Sequence, residues 1–283
     1  MSDIPKRPRR RAGAIAALLA TALIGTLSLV TVPSASASLV TAPSASTGTT
    51  TLCDQTGSTA VSGGKYIVQN NEWGDNIRQC IDAFDGGFTY ASGYHNLAGH
   101  GAPAAYPSIY AGCHWGKCSS GNGLPQQVSS FTNPQSSVNL TTPNSGQWDA
   151  SYDIWFDTNP HPTGQNNGEE LMIWANHSGP PQPFGTKVGT VQLEGANWDV
   201  WYARQGTNTQ WNTVSYVRQQ PTNTLTVNIK DFTNDSITRG YLQPSWYMTS
   251  VQFGFEPWVG GPGLGVKNFS YTPNGSAWRA ARS

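Results

Sequence analysis

From Lys65 onward the chain is written in short runs of apolar and polar residues, broken every few positions by Gly, Pro, Asn and Ser. Residues 65–73, 137–142, 152–157, 170–175, 188–193, 198–203, 211–218, 247–258 and 265–273 have the alternation, or the β-branched and aromatic content, of strands. Only 224–242 reads as mixed. Its second half, Lys230 to Gly240, predicts one short helix with Gly240 at the C-terminal cap. Many regularly spaced strands with a single minor helix predict an all-β fold, a jelly-roll sandwich of two antiparallel sheets with a concave cleft. Neither an internal repeat nor a second domain is visible.

Successive strand side chains point to opposite faces, so three of these runs can be split into faces directly. In Glu170-Leu171-Met172-Ile173-Trp174, an acid, a thioether and an indole share one face, and Leu171 with Ile173 the other. Glu169 points away from Glu170 and is the weaker candidate. In 152–156, Asp153 and Trp155 oppose Tyr152, Ile154 and Phe156. In 252–258, Gln252, Gly254 and Glu256 oppose Phe253 and Phe255. Each run therefore offers one carboxylate on the polar side of a strand whose other side suits a dry core. Taken singly, each of these acids reads equally well as a solvated strand residue; the three together point to a site.

The N-terminal segment has a different texture. A basic start (MSDIPKRPRRR) precedes the apolar run 12–32 and then Ala35-Ser36-Ala37, a small-x-small site. This three-part pattern predicts a secretory signal peptide over 1–37, in preference to a retained membrane anchor. Arg9 to Arg11 also leave twin-arginine export open. Residues 38–51 are Ser, Thr and Ala with one Pro and read as a flexible leader. One catalytic domain is predicted over 52–273, with a disordered tail over 274–283.

Removing 1–37 takes away Lys6, Arg7, Arg9, Arg10, Arg11 and Asp3. From 16 basic and 16 acidic residues this leaves 11 and 15, a net charge near −4. That balance argues against nucleic acid as a partner, since phosphate binding needs clustered Lys and Arg. Export leaves no membrane partner after cleavage and predicts an extracellular protein, read here as a monomer. Four cysteines remain, and in an exported protein they allow three disulfide connectivities; Cys53–Cys80 with Cys113–Cys118 is the expected one. No C-x-x-C pair occurs, and His114 alone beside cysteines does not make a zinc site, so neither metal nor cofactor is expected. His95 and His100 are too loosely placed to argue for a metal. No G-x-S-x-G elbow supports a serine hydrolase.

Charged residues make up only 11% of the chain, while 11 Trp and 11 Tyr are spread among Gly, Asn and Gln. In a secreted β protein this composition suits carbohydrate: aromatic faces stack on apolar sugar faces and amides bond hydroxyls. The same aromatics could simply fill a core, and both uses fit opposite faces of one strand. Two carboxylates on one concave β surface are the minimum equipment for glycoside hydrolysis. A non-catalytic carbohydrate-binding protein would need the aromatic cleft but not the facing acids.

ELMIW, the upstream YDIWF, NNEWG near the start, YPSIYAGCHWG and the late QFGFEPW occur here in one order over about residues 52–273. Together they resemble glycoside hydrolase family 12, secreted jelly-roll endo-β-1,4-glucanases with xyloglucanase relatives. The resemblance implies a β-glucan substrate and a retaining mechanism. It implies Glu170 as nucleophile, Glu256 as acid/base and Asp153 as the residue that supports the nucleophile. It further implies Trp73 as a sugar platform, with Met172, Asn71 and Trp174 lining the cleft, and the two short-range disulfides named above. A retaining pair should hold its carboxyl groups roughly 5–5.5 Å apart, against ~6.5–9.5 Å for inversion. The chain departs from the family pattern at 177–184 (HSGPPQPF), a Pro-rich loop after the nucleophile strand that borders the cleft in this fold. A xyloglucan-specific enzyme is the alternative within the same reading.

Overall fold

The computed structural model describes residues 48–275; the predicted signal peptide, most of the leader and residues 276–283 lie outside the described residues. Among the described residues, two sheets and one α-helix make up the fold, a β-jelly roll. The smaller sheet runs β1 (Thr50–Leu52), β4 (Cys80–Phe84), β5 (Gly87–Ser92), β18 (Gly265–Thr272), β10 (Gln135–Thr141), β16 (Thr224–Asn228). The larger runs β13 (Thr186–Leu193), β14 (Ala196–Gln205), β15 (Trp211–Arg218), β12 (Glu169–Ser178), β11 (Gln147–Asp157), β17 (Tyr247–Gly260), β7 (Ser108–His114), β3 (Tyr66–Gln69), β2 (Ser58–Val61). Short strands β6 (His95–Asn96) and β9 (Gln126–Gln127) pair with β17, and β8 (Lys117–Cys118) with β7. The first strand begins at Thr50, inside the stretch read as leader, and pairs with β4. At the other end Asn274 bridges to Asn133, so order continues just past Pro273.

The faces fall as the alternation predicts. Tyr152, Ile154 and Phe156 of β11, Leu171 and Ile173 of β12, and Phe253 and Phe255 of β17 are all fully buried in one core. They meet Phe88, Val138, Val266 and Phe269 of the smaller sheet in the same cluster; Phe255 makes an edge contact with Phe88 at 6.1 Å between ring centres. Each such burial contributes about 1.5–3 kcal/mol relative to exposure, which pins the strand register. Gly254 has a separate reason to be glycine. A Cβ there would stand 2.4 Å from the Pro107 carbonyl oxygen, where β17 passes close beneath the start of β7.

One pairing departs from the expected antiparallel sheets: β12 and β15 are parallel, with Glu170 opposite Thr213 and Trp174 opposite Val217. Parallel neighbours need a crossover, and here it comprises residues 179–185, β13 and β14. β12 ends at Ser178, whereas β13 starts at Thr186, which lies level with Tyr202, Val214 and Leu171 across successive strands. The seven residues 179–185 must therefore run back over about seven strand residues, roughly 23 Å, which only a nearly extended link can do. Three prolines in that stretch favour the extended polyproline conformation.

Both expected disulfides are formed, Cys53–Cys80 and Cys113–Cys118. The second closes the β7–β8 hairpin, whose turn carries Trp115 and Gly116 at φ 46° and 77°. Positive φ at both central residues is the turn geometry that matches strand twist, and a tryptophan there is unusual. The helix α1 (Ile229–Thr238) occupies the predicted segment, capped by the Asn228 side chain and followed by Gly240 at φ 81°.

Glu169 points away from Glu170, into the interior beneath α1. It is fully buried, and Ser236 Oγ donates to its Oε2 at 2.6 Å. Burial pushes its carboxyl up to about 8. The folded state thus holds a proton that the unfolded chain releases near 4.5. Stability should fall as pH rises from about 4.5 to about 8. Denaturant unfolding across that range should give a shallower loss for Glu169→Gln than for the wild type. Identical slopes would show that Glu169 does not carry this linkage.

Candidate active site

The polar face of the larger sheet is the floor of a cleft of about 1160 Å³. Its lining brings together Asn71, Trp73, Asp153, Glu170, Met172, Trp174 and Glu256, all seven residues singled out from the sequence. β11 is central: Asp153 faces Met172 on β12 and Gln252 on β17, Trp155 faces Glu170, and Asp149 faces Glu256. One wall is the extended link after β12, through Pro180, Gln182, Pro183 and Phe184. The facing residues Gly99 to Pro103 are held on β17 by Leu97 N–H donating to Trp258 O and Trp258 Nε1 donating to Gly101 O.

Glu170 is half-buried and held by three donors on one oxygen. Trp211 Nε1 (3.0 Å), Thr213 Oγ1 (2.8 Å) and Gln205 Nε2 (3.4 Å) all reach Oε2. Burial raises its carboxyl, and the Trp211 and Thr213 bonds pull it back toward the ionised form. Glu256, also half-buried, has no such donors. Burial raises it first, then the charge and contact of Asp149, then the charges of Glu170 and Asp153, holding it well above the usual carboxylate range. Asp153 is buried and also well raised, by burial and then by the Glu170 charge. Its Oδ2 accepts from Trp155 Nε1 at 2.9 Å, and its Oδ1 has no protein partner. Its tie to Glu170 is electrostatic.

The aromatic residues divide by accessibility. Trp73 is 52% exposed, with its N–H anchored on Ala104 O. Asn71, at φ 43°, accepts from Tyr106 N–H through its carbonyl. Met172 and Trp174 line the cleft but are nearly buried, at 7% and 2%. Trp115 and Phe184, each 62% exposed, also line it and went unmarked in the sequence. So did Trp211 and Thr213, and Asp149, buried beside Glu256, also went unmarked. Asp149 was reachable, since it shares the parity of Asp153 and Trp155 along β11. Trp211 and Thr213 lie on a strand whose position beside Glu170 depends on the crossover.

Three carboxyls thus line one floor with Asp149 buried beside Glu256, and among the described residues no Lys or Arg lines the cleft. With no cation to hold all four negative, some must keep protons near neutral pH. Glu170, with three side-chain donors where Asp153 and Asp149 have one each, is the one suited to stay ionised. A donor-held carboxylate beside a proton-holding carboxyl, in an aromatic cleft, can perform acid-assisted nucleophilic displacement at a sugar's anomeric carbon.

Known proteins are similar to this chain in sequence and in fold. The "Probable cellulase Cel12b" of Mycobacterium tuberculosis is 40% identical over 154 residues, 54% of this chain and 99% of that protein. A metagenome-derived glycoside hydrolase family 12 endoglucanase superposes with TM-score 0.75 at 42% identity, covering 80% of this chain and 97% of that one. A family 12 xyloglucanase from Bacillus licheniformis superposes with TM-score 0.72 at 27% identity, covering 79% and 99%. Residues 64–274 match glycosyl hydrolase family 12, and the chain belongs to that family.

Proposed function

We propose that this protein is a secreted, retaining endo-β-1,4-glucanase acting on an unbranched β-glucan such as cellulose. The observation that carries the reading is the asymmetry between Glu170, fixed by three donors, and Glu256, which has a raised carboxyl and faces the same cleft. The names of the relatives at about 40% identity, a cellulase and an endoglucanase, favour a plain glucan over xyloglucan, which is named for several more distant ones. The signal-like N-terminus and two disulfides support export, since disulfides persist in oxidising compartments. Action as a monomer, through one catalytic domain spanning about 52–273, completes the proposal.

In this mechanism a glucan chain lies along the cleft with a glucose ring on Trp73. Glu256 donates its proton to the leaving glycosidic oxygen while the Glu170 carboxylate attacks the anomeric carbon from the opposite face. The C–O bond breaks, the leaving chain departs with the proton, and a glycosyl ester forms on Glu170. Glu256, now a carboxylate, takes a proton from a water that attacks the same carbon. The ester breaks, Glu170 leaves as carboxylate, and the anomeric configuration is retained. Asp153, raised by burial and by the Glu170 charge, supports the nucleophile by keeping its own proton beside it rather than adding a second negative charge.

Reducing-sugar assays on carboxymethyl cellulose, mixed-linkage β-glucan and xyloglucan test the reading. Glu170→Gln should lower kcat by roughly 10⁴-fold. Glu256→Gln should lower it by about 10²–10⁴-fold, with a smaller loss on an aryl cellobioside whose leaving group needs no proton. Folded variants that keep full activity would mean the wrong acids are chosen, and wild-type binding without cleavage would favour a carbohydrate-binding protein. Faster turnover of xyloglucan than of either plain glucan would move the substrate assignment.

Trp73→Ala should raise KM by roughly 10-fold, about 1.4 kcal/mol of uniform binding, while leaving kcat within a few-fold. An unchanged KM would remove Trp73 from the binding surface.

A further inference from the structure

Asp149 lies buried beside Glu256, out of the cleft itself, with no role in the scheme above. It is fully buried at the centre of the larger sheet. Ser151 Oγ donates to its Oδ1 at 2.8 Å, and Tyr106 OH, donating to Ser151 O at 3.0 Å, braces that segment. Its Oδ2 is buried and finds no donor. Directly across the strand pair lies Glu256, and the two carboxyl groups are within hydrogen-bond contact. Two carboxylates in that position would repel with nothing to offset them. One proton between them satisfies both the unpartnered oxygen of Asp149 and the carboxyl of Glu256.

No other side chain partners that oxygen, and the Glu256 backbone amide adds a further pull toward the ionised form of Asp149. On β17 the facing group is Glu256 itself; on β12 it is His177, opposite Asp149 in register; on β11 the nearest acid is Asp153. His177 is held toward its neutral form by burial, and its Nδ1 is itself without a partner, so it makes no bond to Asp149. The Tyr106 hydroxyl is already committed to Ser151, and burial with the neighbouring acids holds its proton firmly.

We propose that Asp149 is the positioning residue of the acid/base: it shares a single proton with Glu256 and so keeps that carboxyl protonated and aimed into the cleft while Glu170 stays ionised. This deepens the reading of Glu256 given above and rests on it. Burial raises Asp149 to about 7, in the direction that sharing requires, while Ser151 and the contact with Glu256 favour its ionised form. The pair therefore titrates as a unit, with two macroscopic steps belonging to both carboxyls.

The test is a direct titration of the carboxyl ¹³C resonances of Glu256 and Asp149 in the full-length mature protein, compared with Asp149→Asn. In the wild type both resonances should move in the same two steps. In Asp149→Asn, Glu256 should titrate at least about one unit lower, because the raising charge is gone and the amide donates to the ionised form. Ser151→Ala leaves Asp149 in place. It should lower the Glu256 step in the same direction by less, since it weakens the hold on the Asp149 charge. A Glu256 step that is unmoved in both folded variants, or single independent steps in the wild type, overturns the proposal. The titration reads the shared proton whether or not Glu256 is catalytic. Loss of the pair and loss of the catalytic reading, judged by Glu256→Gln activity, are therefore separate results.

Discussion

Strand β11 is fixed by what its even-numbered residues do. Tyr152, Ile154 and Phe156 are all locked into the core, so Asp149, Ser151, Asp153 and Trp155 have no choice of face. A slip of one residue would bury the acids among phenylalanines and expose the core, a change no local rearrangement could offset. The neighbouring strands obey the same rule from Leu171 and Ile173 on one side and from Phe253 and Phe255 on the other. The cleft chemistry is the other face of the hydrophobic core, and the precision of one follows from the packing of the other.

Electrostatics then assigns the protons. Four acids line the cleft floor or stand beneath it, and among the described residues no Lys or Arg lines the cleft, so burial raises each of them and hydrogen-bond donors decide which gives way. Those donors come from β14 and β15 and converge on Glu170 alone. The parallel placement of β15 beside β12 makes that possible, and the proline-rich link after Ser178 makes the parallel placement possible. The same link forms a wall of the cleft. One topological device thus holds the Glu170 charge and bounds the space in which substrate lies.

Much of this was legible in the residues, because period-two alternation is a strong signal where one face is dry. The polar and apolar faces around Asp153, Glu170 and Glu256, the single helix before Gly240 and both disulfides follow the expected pattern. The parallel pair did not, since nothing local distinguishes a strand that returns beside its predecessor from one that continues a meander. Trp211 and Thr213 were hidden for the same reason: their value lies in a neighbour that topology supplies. Asp149 was hidden differently, lying on the right face but ahead of the residues that drew attention. Trp115 reaches the cleft only because a disulfide-closed turn holds it at positive φ.

The central claim is that Glu170 becomes covalently bonded to sugar. Incubation of the mature protein with a 2-deoxy-2-fluoro-β-cellobioside bearing an activated leaving group traps such an ester, because the fluorine slows its hydrolysis. Intact-mass measurement should show one fluorocellobiosyl unit added per chain, and peptide mapping should place it on Glu170. An adduct on another carboxylate, or continued hydrolysis with inversion and no adduct at all, would contradict the account.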